Sequence, residues 1–213
     1  PEETEKFTGI IGSISNKIAP YRFQLPAKIL LAKTTGREEG NAAYCRNDDV
    51  IVLPQEKLGA SPRESEEILT HELFHILSRN NPKLREALYG AVGFKACPEV
   101  ALPESLRSRK ITNPDAPRIG HYIEITFADK TVPVVPVLFS NLEKYDANSG
   151  KSFFAYLTFK LLALERAGEG LGNRWRPAFR EGKPWLLDVA EVKNFHEQIG
   201  RNTGYIIHPE ELL

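Results

Sequence analysis

Methionine is absent from this 213-residue chain, and cysteine occurs only twice, as Cys45 and Cys97. A chain that begins at Pro1 without a methionine reads as a processed or trimmed form. A removed secretion signal accounts for that, as does simple trimming, so a secreted or periplasmic protein is the expectation. Two cysteines are too few for a disulfide scaffold. They can bridge in an oxidising compartment or stay two separate buried thiols. No run of about 18 consecutive apolar residues occurs, so no membrane-spanning helix is expected. Charge of one sign is also missing: Lys+Arg and Asp+Glu both number 28. That balance gives nucleic acid or an anionic membrane no electrostatic footprint, and neither is expected as a partner. Internal repeats and low-complexity tracts are absent. What is present is a 41% hydrophobic content. It suffices for one large domain, or for two lobes expected at 1–95 and 96–213.

Against that plain background one pentapeptide carries chemistry: His71-Glu72-Leu73-Phe74-His75, an H-E-x-x-H pattern. On a helix, residues four apart share a face, so His71 and His75 can hold one zinc ion through two imidazoles. Glu72 then stands where a carboxylate can take a proton from an activated water. The helix itself is legible. Ser61 suits the N-cap, Pro62 the first helical position, and Glu64 completes a capping box with Ser61. Ile68, Leu69, Leu73, Phe74, Ile76 and Leu77 give it a broad apolar surface, and Asn80-Asn81-Pro82 ends it. The expectation is a helix over about 62–79, buried on most sides. Imidazoles and a carboxylate in such a setting are costly unless something binds them, and a metal is the simplest binder.

The segment Ser61–Arg79 resembles the zincin metallopeptidases. That resemblance implies an α+β, zincin-like fold: a small mixed sheet, the active-site helix, and a mostly helical C-terminal part carrying the third metal ligand. Three strand candidates precede the helix, at 28–32, 41–45 and 50–53, with Arg46-Asn47-Asp48-Asp49 as a turn. In zincins an edge strand beside the helix pairs with the substrate backbone. The metzincin extension would need Gly at 78 and His at 81; Ser78 and Asn81 exclude it. The resemblance is then to gluzincins, whose third ligand is a glutamate on a later helix. Glu210-Glu211-Leu212-Leu213 can be laid on the first four positions of their Asn-Glu-x-x-Ser-Asp pattern, so Glu211 matches the ligand. Glu210 departs from the Asn of that pattern. An alternative for Glu211 is a solvated first-turn carboxylate favoured by the helix dipole. Among the other downstream glutamates, any of which could serve, Glu124 in the strand-like run from His121 is the runner-up. Donors to a tetrahedral oxyanion are expected from Tyr or His. Tyr205 and His208 form one candidate pair, and His121 and Tyr122 a second.

Elsewhere the chain reads as ordinary structure. Pro82–Tyr89 is expected to be a short helix closed by Gly90. Ile111–Pro117 is a loop of the kind that often serves function. His121–Ala128 and Thr131–Phe139 read as strands, the second marked as an edge or irregular strand by Pro133 and Pro136. Ser152–Arg166 is expected to be a helix, as is the segment from the Asp188/Glu191 capping box to about Ile199. Gly150-Lys151-Ser152 echoes a phosphate loop, but Tyr145 stands where its first glycine belongs.

The sequence therefore points to a zinc-dependent hydrolase acting on a peptide or protein substrate. Zn2+ would be held by His71, His75 and Glu211, with Glu72 as general base and His208 and Tyr205 assisting. Two alternatives remain: a zinc hydrolase of another amide or ester, and a metal-binding domain without catalysis.

Overall fold

Three glutamates, Glu2, Glu3 and Glu5, open the first helix, α1 (Glu2–Ile18), where negative charge complements the N-terminal end of the helix dipole. Phe7, Ile10 and Ile14 recur at spacings of three and four and form its buried stripe. The computed structural model describes residues 2–142, 146, 150–168, 174–200 and 208–211. The chain divides into two compact units, Pro1–Arg85 and Glu86–Leu213.

In the first unit the α1 stripe packs with Cys45, Ile51, Leu53, Leu69 and Ile76 into one apolar core. Strands β1 (Leu30–Thr34), β2 (Tyr44–Arg46) and β3 (Val50–Pro54) make a small mixed sheet in the order β1-β3-β2. β1 runs parallel to β3, and β2 runs antiparallel to it. Asn47, at φ 55°, turns the chain between β2 and β3. A single helical turn, α2 (Gln55–Leu58), then leads to α3 (Pro62–Asn80).

Helix α3 starts as its sequence dictates. The Ser61 hydroxyl accepts from the Glu64 N–H, and the Glu64 carboxylate accepts from the Ser61 N–H at 2.9 Å. The Ser61 hydroxyl, donating to that carboxylate at 2.7 Å, and then the Ser61 N–H lower the Glu64 pKa from its ordinary value. At the other end, Asn81 Nδ2 donates to Leu77 O at 2.8 Å and to Gln24 O at 2.7 Å. Glu66 binds α3 to α1: it accepts from Ser13 at 3.0 Å and from Lys17 at 2.6 Å.

Among its described residues the second unit has more strand than helix, which corrects the expectation of a mostly helical C-terminal part. Helix α4 (Pro82–Ala91), inside which the division falls, leads to β4 (Phe94–Ala96) and a helical turn, α5 (Glu104–Arg107). Strands β5 (His121–Phe127), β6 (Lys130–Ser140) and β7 (Leu157–Arg166) then form an antiparallel sheet. Four short strands follow: β8 (Trp175–Pro177), β9 (Phe179–Arg180), β10 (Lys183–Pro184) and β11 (Leu186–Leu187). The sheet order is β11-β7-β6-β5-β4, with β8 also on β7, while β9 and β10 pair with each other. Ala128 and Asp129, at φ 47° and 58°, make the tight β5–β6 turn.

The segment expected to be a helix at Ser152–Arg166 is a 3-10 turn at Phe153–Tyr156 followed by β7. The reason is burial on both faces. Leu161 and Ala163 enter a core with Ile123, Ile125 and Val134, while Leu162 and Leu164 enter another with Val135, Val137 and Phe139. A strand apolar on both faces reads as a continuous run, which periodicity cannot separate from a helix.

The helix expected over 188–199 is likewise broken. The Asp188/Glu191 capping box forms, but it closes only a 3-10 turn over Val189–Glu191. Lys193 then bridges to Thr126, and α6 (Phe195–Ile199) begins after Asn194 at φ 62°.

β6 is central in the sheet despite its prolines. Its ladder to β5 covers Lys130–Val134, and its ladder to β7 covers Val134–Ser140. Ala163 directs its N–H to Trp185 O and its C=O to Ala178 N, away from β6. Val134, opposite Ala163, therefore turns its polar groups towards β5. By alternation Pro136 faces the β5 side and Pro133 the β7 side. Each ring nitrogen thus faces a side where no ladder runs, so no bond is lost.

Candidate metal centre

The capped start of α3 fixes the phase of the helix and so the position of the motif. His71 and His75 lie one turn apart on it. Their Nε2 atoms are 3.1 Å apart, and their rings cross at 83° with centroids 4.6 Å apart. Two neutral imidazoles at that distance can share one N–H···N hydrogen bond. The same separation also admits a cation: an ion about 2.0–2.1 Å from both nitrogens would see them at roughly 100°, close to tetrahedral. His71 is exposed, whereas His75 is 0% exposed. The pair therefore runs from the surface of the helix into its buried side.

Glu72 is buried at 3% exposure, between the two histidines in sequence. His71, Glu72 and His75 each bring one ligand atom within 4.8 Å of the others. One neighbour of Glu72 carries no signal in the pattern. Cys45, on the antiparallel edge strand β2, places its Sγ 3.1 Å from Glu72 O and 3.4 Å from Glu72 Oε2. It is a free thiol, as is Cys97. Cys45 is thus a thiol donor set against the buried acid, a role that only the pairing of β2 and β3 creates. Ser78, the residue that excludes the metzincin pattern, donates to His75 O at 3.1 Å.

The remaining candidates lie in the second unit. Tyr205 lies outside the described residues. His208 precedes a 3-10 turn at Pro209–Glu211, and its Nδ1 accepts from the Glu210 N–H at 3.1 Å. That fixes the imidazole tautomer with its proton on Nε2. Glu211 Oε1 accepts from Asn113 Nδ2 at 2.6 Å, so the Ile111–Pro117 loop holds this carboxylate. Asn113 also caps its own turn, accepting from Asp115 N at 2.8 Å. Glu210, which stands at the Asn position of the gluzincin pattern, is buried and accepts from the Tyr89 hydroxyl. Tyr89 is itself buried, and a buried phenol needs such a partner.

His121 and Tyr122 do not act as a pair. Neighbours on a strand point to opposite faces. His121 lies against Tyr89 at 4.7 Å and bonds Glu86 at 2.9 Å, while Tyr122 packs on Trp175 at 5.0 Å. Glu124 is 39% exposed at its side chain and paired with Lys95 at 2.8 Å, which raises the Lys95 pKa.

No protein-family model, no curated protein and no solved structure matches the chain. The family resemblance of Ser61–Arg79 therefore rests on its own residues. Among the described residues, no helix is long and apolar enough to cross a membrane.

Proposed function

We propose that this protein is a zinc-dependent metallopeptidase with His71 and His75 as metal ligands and Glu72 as general base. The observation that carries the reading is the 3.1 Å approach of the two Nε2 atoms beside a carboxylate that is 3% exposed. Imidazole nitrogens in this geometry suit zinc, and burying an acid beside them is costly unless it is partnered. When bound, zinc supplies Lewis acidity, acidifying a water and polarising the scissile carbonyl. Glu72 would take a proton at its carboxylate from the attacking water and pass it to the departing amine. Burial keeps the acid out of bulk water, and the Cys45 thiol holds its orientation. Glu211 is the third ligand that the gluzincin resemblance implies, with Glu124 as the runner-up.

Metal analysis of the purified chain tests this. We expect about one zinc per chain, lost in His71→Ala and in His75→Ala. Zinc content unchanged in both variants would defeat the reading. Glu72→Gln should keep zinc and the fold while turnover of an unspecific peptide substrate falls by at least about a hundredfold. Zinc retained with undiminished turnover in Glu72→Gln would remove the base from the mechanism. Zinc bound by a wild-type chain that cleaves esters or other amides, but no peptide, would transfer the site to the non-peptidase class.

A further inference from the structure

The small sheet of the first unit has two edges. At one of them β2 lies beside Glu72; at the other, β1 has no strand on its outer side among the described residues. Leu30 N–H donates to Asp49 O at 2.8 Å, and Leu30 pairs in parallel with Val50. In such a ladder alternate residues bond to the neighbour. Leu30, Ala32 and Thr34 therefore turn their backbone polar groups to β3, while Leu31 and Lys33 turn theirs outward. An unpaired edge of this kind is a template for another strand. The devices that blunt such edges are weak here. The pairing of β1 runs without a bulge or a proline of its own, and its one charge, Lys33, is balanced by Glu3 at 2.9 Å. Leu30 and Leu31 are 43% and 38% exposed, and the exposed Ile11 of α1 lines a groove with Leu31 and Ala32.

We propose that the outer edge of β1 pairs with β1 of a second copy of this chain, antiparallel about a two-fold axis at Ala32. The strand is self-complementary in that register. Ala32 is its middle residue, so Leu30–Thr34 overlaps over its full length. Leu31 of one protomer then stands opposite Lys33 of its partner. Both residues turn their polar groups outward, so each such pair exchanges both its N–H···O bonds. Ala32 meets Ala32 as the close, non-hydrogen-bonded pair, where a small side chain lets the strands approach. The two lysines lie across from leucines and not from each other, so no like charges are opposed. A net charge of zero adds no long-range repulsion between copies. An axis at Leu31 would instead pair only Leu30–Ala32. The inference stands on the first unit alone and does not need the metal reading to be right.

Sedimentation equilibrium of the full chain tests it, with a chelator present so that the exposed His71 cannot bridge copies through a metal. The mass should rise with concentration to twice that of the chain. Leu31→Lys puts like charges opposite each other and should weaken the dimer about tenfold, while Leu31→Glu, opposite Lys33, should not. Ala32→Cys gives an independent reading. The Cα atoms of a non-hydrogen-bonded pair stand about 4.5 Å apart, inside the roughly 4.4–6.8 Å that a disulfide spans. Air oxidation should therefore link two copies of Ala32→Cys, the two thiols giving up their hydrogens to oxygen as the S–S bond forms, and should leave wild type unlinked. A chain that stays monomeric at every concentration would overturn the proposal and leave the edge to a strand of another protein. A dimer seen only without chelator would overturn it in favour of a metal bridge. A dimer that Leu31→Lys leaves intact would overturn it as well, as would an Ala32→Cys chain that yields no linked species.

Discussion

A thiol is only as reactive as its thiolate, and the two cysteines differ from an ordinary surface thiol. Burial pushes the Cys97 thiol up to about 11, from the ordinary value of 9.0. At pH 7.5 its thiolate fraction is then on the order of one in several thousand. We expect slow labelling of Cys97 by a thiol reagent in the native state at pH 7.5, accelerating about tenfold per pH unit up to about pH 11. Rapid labelling at neutral pH, mapped to Cys97 by peptide mass, would contradict this. Cys45 is 1% exposed and should label only when the chain unfolds. At this scale the sequence named His71, Glu72 and His75 because a spacing of four is a local property of a helix. It could not name Cys45 or Tyr89. Their partners, Glu72 and Glu210, lie 27 and 121 positions away along the chain.

Helix α3 shows what a cap contributes at the scale of an element. Ser61→Ala removes the hydroxyl that accepts from Glu64 N, and about 1 kcal/mol of stability should go with it. Because the Glu64 carboxyl is held below its ordinary value, its contribution is present above the unfolded pKa and is lost as pH falls through the folded one. The gap between wild type and Ser61→Ala in urea unfolding should therefore be widest near neutral pH and narrow below the carboxylate range. A gap that widens in acid would show that Glu64 does not share the cap. Capping signals of this kind were legible: Ser61, Pro62 and Glu64 set the start of α3, and Asn81 its end. The Asp188/Glu191 box was legible too, yet it fixed only one turn, because Thr126 of β5 claims Lys193 for a bridge. β7 was illegible for a related reason. Leu161, Leu162, Ala163 and Leu164 are good helix formers, and only two apolar cores, one on each face, make them a strand.

For the whole molecule, metal and stability should be linked. A ligand that binds only the folded chain stabilises it in proportion to the logarithm of its concentration, about 2.7 kcal/mol at a hundred times its dissociation constant. Removing zinc with a chelator should lower the melting temperature by several degrees, and adding zinc back should restore it. A melting temperature indifferent to both would mean that no structural energy passes through His71 and His75. The two prolines of β6 bear on the same stability from another direction. Sliding β6 by one residue would turn every buried side chain to the wrong face, but sliding it by two would leave the apolar pattern intact. The rings forbid that second error. A two-residue slip against β5 would bring Pro136 into the ladder on the side it faces, and the opposite slip against β7 would bring in Pro133, each with no hydrogen to give. They work as pawls, letting the strand seat in one notch and no other.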